Sequence, residues 1–145
     1  MSDRAQKLTM KILVTGLSDP HYAPMLRGFL NYYLPEDSQL FCSKNDAKPS
    51  KVSLKLMDSV GIDISKRLSQ PVGDSQISEM DVIISTTAES SHFLDQQEFS
   101  PVIQLHHLHL EEPEHESEKE LKKALKKERK QLQKFSEQLL EKVES

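Results

Sequence analysis

KILVTGLSDPHYAPM, residues 11–25, is the stretch that decides how the rest of this chain is read. Lys11 to Thr15 is a short apolar run ending in β-branched residues, the pattern of a buried strand. Gly16 to Tyr22 is rich in turn residues and reads as a loop. Pro24 suits the first turn of a helix. Met25, Leu26, Phe29, Leu30, Tyr33 and Leu34 then recur at helical spacing. A strand–loop–helix of this kind aims loop amides and a helix N-terminus at whatever sits above the strand, a geometry suited to an anion.

Working outward, SQLFC (38–42) reads as a second strand and Asn45 to Pro49 as a loop. Val52, Leu56 and Val60 repeat every four residues, which predicts a helix over 50–60 with Gly61 as its C-cap. A long polar segment follows, punctuated by Ser69, Pro71 and Gly73. DVIIST (81–86) is a third buried strand, Ala88 to Leu94 a short helix, and Val102 to Leu105 a fourth strand. HHLHLEEP (106–113) reads as a loop. Leu121, Leu125, Leu132, Phe135, Leu139 and Val143 stripe one long charged helix over about 116–143. Strands alternating with helices predict a doubly wound α/β fold with four parallel strands in the order 2-1-3-4. Ligands of such folds sit beyond the C-terminal strand ends. Gly16, Ser43, Thr87 and the 106–113 loop are expected to converge there.

The chain has 145 residues, enough for one domain with a real core. Residues 1–10 are expected to be a flexible N-terminus and 11–145 the domain. Residues 1–113 carry ten Lys/Arg against fifteen Asp/Glu, net −5, and residues 114–145 carry nine against eight, net +1. An acidic body argues against a nucleic-acid partner. No 18-residue apolar run and no apolar leader occur, so neither a membrane span nor a secretion signal is expected. The single Cys42 excludes an internal disulfide or dithiol relay, and a cytoplasmic location is expected.

These segments together resemble the low-molecular-weight protein tyrosine phosphatases and the thioredoxin-coupled arsenate reductases of the same fold. The resemblance spans residues 11–143. The family opens with a strand, then a Cys, five residues, an Arg, Ser-Pro and a helix, and KILVTGLSDPHYAPM has that length and ends in the same Pro-Met. LKLMDSVGIDISKRLS (54–69) is similar to the family's helix and its Gly-Ile-Asp-Ile-Ser. MDVIIS (80–85) is similar to its Asp-led strand. HLHLEEP (107–113) is similar to the reductase segment His-Trp-Gly-Phe-Asp-Asp-Pro.

The departures fall on the chemistry that the resemblance implies. Gly16 stands at the place of the nucleophilic Cys and has no side chain to attack phosphorus or arsenic. Tyr22 stands at the place of the Arg, so one neutral phenol replaces a bidentate cation. Asp19 replaces the loop Asn and adds negative charge where an anion would sit. Pro20 removes an amide donor, and Ala23 replaces the Ser before the Pro. Glu112 stands for the acid Asp. The reductases' two further redox cysteines fall on Thr87 and near Phe93. Thiolate, anion clamp and redox relay are missing together, so the expectation is a pseudoenzyme with no intact catalytic residue. Its former site comprises Gly16, Asp19, His21, Tyr22 and Glu112, and its ligand-binding candidates are Ser18, Asp19, His21, Tyr22 and Glu112.

Other side chains admit sharper and blander readings. His21, His107, His109 and Glu112 could hold a divalent metal and support metal-assisted hydrolysis, but their spacing fits no established ligand motif. Polar rim residues are the blander reading, and no cofactor is expected. Cys42 reads as a buried structural thiol. Tyr33 fits the core stripe of the first helix and Tyr32 its surface. The basic outer face of the last helix is a solvated face, or else docks a partner or a second copy. The expected partner is a protein or a small molecule in the altered pocket, with no membrane, the chain being a monomer or a dimer through that helix. The alternative functions are a weak or metal-assisted hydrolase, or phosphatase or reductase activity by family membership.

Overall fold

The structure is a computed structural model that describes residues 10–113 and 117–144, with backbone alone at 143 and 144. In chain order it runs β1 (Lys11–Thr15), α1 (Tyr22–Tyr33), β2 (Gln39–Ser43), α2 (Lys51–Asp58) and β3 (Gln70–Val72). A 3-10 helix (Asp74–Glu79) leads to β4 (Val82–Ser85), α3 (Ala88–Asp95), β5 (Gln104–His107) and α4 (Glu118–Glu144). All neighbouring strands are parallel, in the order β3-β2-β1-β4-β5. The four expected strands thus hold their expected order, and a fifth adds to the edge beside β2. It was hidden in the polar segment because it is three residues long and contains Pro71. A proline lacks the donor that a central strand needs, but an edge tolerates it.

β1 and β4 occupy the middle of the sheet and read apolar throughout because helices cover both faces. Alternation divides their side chains. Ile12, Val14, Val82 and Ile84 face the core made with α1, α2 and α4. Leu13 and Ile83 face the opposite core with Phe41, Val72, Ile77 and Leu94. The Gly-Ile-Asp-Ile segment closes the first core. Gly61 adopts φ +83 after α2, and Ile62 and Ile64 then turn inward against α1. A Cβ on Gly28 would lie 2.6 Å from Ile64 Cγ2, so glycine there permits the close approach.

Two boundaries differ in ways that matter for the site. The fourth expected strand, 102–105, lies instead at Gln104–His107. Residues 100–103 form a turn in which the Ile103 amide donates to the Ser100 carbonyl. Pairing with β4 therefore starts at Gln104, opposite Val82, and puts His106 and His107 opposite Ile84 and Ser85. These histidines are strand residues rather than loop residues. Met10, expected in the flexible N-terminus, packs against the first core and its carbonyl accepts from the Gln39 amide. The rest of that segment, residues 1–9, and the expected helix start at 116 lie outside the described residues.

α4 buries Leu121, Leu125, Leu132 and Leu139 as its stripe predicts, with Phe135 partly buried; the side chain of Val143 lies outside the described residues. Arg129 reaches from it to the Leu56 carbonyl (2.9 Å) and Ser59 Oγ (3.0 Å), satisfying the end of α2. Tyr33 Oη accepts from Gln133 at 2.8 Å while Tyr32 is exposed. Among the described residues no helix is long and apolar enough to cross a membrane.

Candidate functional site

The loop between β1 and α1 is built around the carboxylate of Asp19. Gly16 leaves β1, Leu17 takes a left-handed φ of 53, and the Asp19 amide closes the turn on the Gly16 carbonyl at 3.0 Å. A non-glycine residue in that conformation costs about 1–2 kcal/mol, which the surrounding bonds must offset. The Leu17 amide donates to Asp46 Oδ1 at 2.9 Å, and its carbonyl accepts from the Ala47 amide at 2.7 Å.

Asp19 then turns inward, where it is 8% exposed. Its Oδ1 accepts the amides of His21 (2.8 Å) and Tyr22 (2.9 Å). Its Oδ2 accepts the Ala23 amide (2.9 Å) and the Thr86 hydroxyl (2.7 Å). These amides are the unpaired donors at the start of α1, the groups that an exogenous oxyanion would use. The chain's own carboxylate occupies them. His21 at the N-cap makes no side-chain cap bond, so Asp19 performs the capping from two residues upstream.

Gly16 fits this arrangement by lacking a side chain. A Cβ there would lie 2.7 Å from Ala23 Cβ, 2.8 Å from Thr86 Oγ1 and 3.0 Å from Asp19 Oδ2. A thiol would have to displace packed atoms. Gly16→Cys is therefore expected to lower stability by about 1–3 kcal/mol, as overpacking does, measured by denaturant unfolding. An unchanged midpoint would show that the loop opens freely.

Beside this loop lies a cavity of about 440 Å³ lined by Ser18, Asp19, Tyr22, Glu89, His109 and Glu112, among others. Four of its lining residues are carboxylates, with Glu111 the fourth, and no Lys or Arg is among them. Ser18 donates to Glu89 through both its hydroxyl and, at 3.1 Å, its amide. Tyr22 Oη donates to the Glu111 carbonyl at 3.1 Å. Burial, then the charges of Glu128, Asp19, Glu111 and Glu112, push the Tyr22 phenol up to about 12. The residue at the expected place of a cation is thus a protonated, already engaged phenol.

Of the ligand candidates, Ser18, Asp19, Tyr22 and Glu112 come together here. His21 does not line the cavity; its Nδ1 lies 2.8 Å from Ser50 Oγ, the cap of α2. Nor does Ser43, whose amide binds Asp46 on the other side of α1. Of the metal candidates, His109 and Glu112 line this cavity and His21 and His107 do not. His107 Nδ1 is bound to Ser85 Oγ at 2.6 Å, with its ring 5.8 Å from that of His109. Among the described residues no group of three His, Cys, Asp or Glu side chains is placed to hold a metal ion. Cys42 is half-buried, not buried, and lines a different cavity. Thr86 and Glu89 were not legible as site residues, because each meets the loop from about 70 residues away (67 and 71). Thr86 ends a strand run, and Glu89 is a first-turn acid of α3; neither pattern signals contact with the loop.

The sequence profile described as "Low molecular weight phosphotyrosine protein phosphatase" matches residues 39–145. No curated protein matches the sequence. Among solved structures, the chain is similar to an arsenate reductase in oxidized state, at 19% identity and TM-score 0.71, covering 93% of this chain and 99% of that one. A low molecular weight protein tyrosine phosphatase from T. tengcongensis gives 17%, 0.71, 92% and 99%. The tyrosine phosphatase Wzb from Escherichia coli K30, in complex with sulphate, gives 11%, 0.72, 94% and 99%.

Proposed function

Since the chain belongs to the low molecular weight phosphotyrosine protein phosphatase family, we propose that it is a non-catalytic member whose fold serves binding or regulation rather than turnover. The Asp19 carboxylate carries this reading. It saturates the amides of residues 21–23 that would otherwise receive a phosphoryl or arsenate oxygen. An incoming oxyanion would meet a fixed negative charge within a few ångströms. Two like charges about 4 Å apart repel by about 4 kcal/mol at an effective dielectric of 20.

Three further features support it. Gly16 supplies no nucleophile, and the space a thiol would need is filled by Ala23, Thr86 and Asp19. Tyr22 stays neutral far above physiological pH, so it offers an anion neither positive charge nor a free donor. Glu112 lines the cavity as the remaining acid, but an acid without a nucleophile or anion clamp has no leaving group to protonate. The ligand of the acidic cavity is therefore not phosphate. A cytoplasmic location is part of this proposal, and one thiol, with no pair to oxidise, is consistent with a reducing compartment.

Assays with an aryl phosphate, and with arsenate plus thioredoxin, are expected to give no turnover above buffer. Turnover that Glu112→Ala abolishes would sink the proposal.

A further inference from the structure

A second cavity lies on the other side of the α1 N-terminus, between the loop after β2 and the segment after Ile64. Its volume is about 530 Å³, within the range of small-molecule sites. Its charge is opposite to that of the Asp19 cavity. Lys44 and Lys48 come from the β2–α2 loop, and Lys66 and Arg67 from the segment preceding β3. Arg27 also lines it, which places five of the ten Lys/Arg of residues 1–113 around one cavity.

One carboxylate, Asp46, is among the lining residues, and Arg27 neutralises it at 3.2 Å. The other four cations make no ion pair among the described residues. Asp63 is exposed nearby, but its carboxyl is held low first by the Ser65 hydroxyl and amide, and Lys66 contributes least. Four positive charges with no ion pair among the described residues thus line one cavity in a body whose formal charge is −5, ten Lys/Arg against fifteen Asp/Glu. The cavity also has an apolar side, formed by Pro24, Ile64, Leu68 and Pro71, and hydroxyls from Ser43, Ser65 and Ser69. Its base is held firm. Asp46 accepts from Thr15 Oγ1 (3.0 Å) and the amides of Leu17 (2.9 Å) and Ser43 (3.2 Å), pinning the 43–47 loop.

We propose that this cavity binds a small organic phosphate, its charged group among Lys44, Lys48, Lys66 and Arg67 and its carbon body against the Pro24–Ile64–Leu68 side. A guanidinium beside several ammonium groups suits a multiply charged phosphoryl group. The apolar side distinguishes an organic phosphate from the inorganic ion. The site is separate from the Asp19 loop and does not depend on that loop's being inactive.

Amide NMR titration of the full chain tests this with ADP, adenosine and inorganic phosphate as probes. ADP is expected to give saturable shifts at residues 43–48 and 64–69, with adenosine and phosphate each at least ten-fold weaker. Lys66→Glu with Arg67→Glu, both exposed positions, is expected to weaken ADP by ten-fold or more, the loss of one charge-assisted contact being worth about that. The melting temperature should not move. Absence of saturable ADP shifts overturns the proposal. So do adenosine binding as tight as ADP, affinity unchanged by the double charge reversal, or shifts centred on Asp19 and Tyr22.

Discussion

Asp19→Ala is expected to lower stability by about 2–4 kcal/mol, summing a lost helix cap and the buried donors it leaves unpaired. Its four bonds all go to the start of α1 and to Thr86. Removing it leaves three amides and a hydroxyl facing a void of carboxylate size. Sulfate should then enter. At about 100 times its dissociation constant it would return about 2.7 kcal/mol to the variant. Sulfate strengthens burial in any protein, so the readout is the difference between variant and wild type in matched sulfate and chloride melts. The wild type, with the position filled, should gain only the general salt effect. An Asp19→Ala variant as stable as wild type, or equal sulfate gains in both, would mean that the carboxylate is not the resident anion. The same logic bears on restoring chemistry. Gly16→Cys with Tyr22→Arg is not sufficient, because Asp19 Oδ2 stands 3.0 Å from where the new Cβ would be. Asp19 must be replaced as well.

Asp46→Ala is expected to cost about 3–5 kcal/mol, the usual result of stripping the partner from a buried charge. The Arg27 side chain is 9% exposed, and its Nη1 binds Asp46 Oδ2 (3.2 Å) and the Val14 carbonyl (3.0 Å). Arginine does not shed its charge at any accessible pH, so without Asp46 it stays ionised and largely buried. The reverse change, Arg27→Leu, should cost less. Burial already pushes the Asp46 carboxyl up, against the pull of Arg27 and of its amide and hydroxyl donors. Losing Arg27 pushes it further. A carboxyl raised in the folded state binds its proton before the unfolded chain does, so Arg27→Leu should gain stability relative to wild type as pH falls toward the unfolded carboxyl range. Urea unfolding of both variants from neutral to mildly acid pH measures the asymmetry. Equal losses at every pH would contradict it.

Much of this architecture is legible in residues 11–25 and their echoes. The apolar runs at β1 and β4 are long and uninterrupted because both faces are buried, and that pattern survives in sequence. The α4 stripe and the Gly61 cap are equally local. The losses occur where the decisive bond is not local. β3 is an edge strand of three residues with a proline, visible only once β2 offers it a ladder. The start of β5 is set by register against β4 rather than by its own residues. His21 and His109 were candidates for one metal site, but Ser50 holds the first.

The sequence by itself determined the family frame and the absence of a thiolate and a guanidinium at residues 16 and 22. Those are statements about which groups exist. Only the tertiary structure decided what fills their place. Whether Asp19 repels an anion from the pocket rim or replaces it at the helix terminus depends on which way one carboxylate turns. That is fixed by the Leu17 conformation and by Thr86, 67 residues away. The gathering of four cations, without an ion pair among the described residues, beside the Arg27–Asp46 pair has the same origin. Lys44, Lys48, Lys66 and Arg67 are spread over 24 residues of chain, and the fold alone brings them to one cavity.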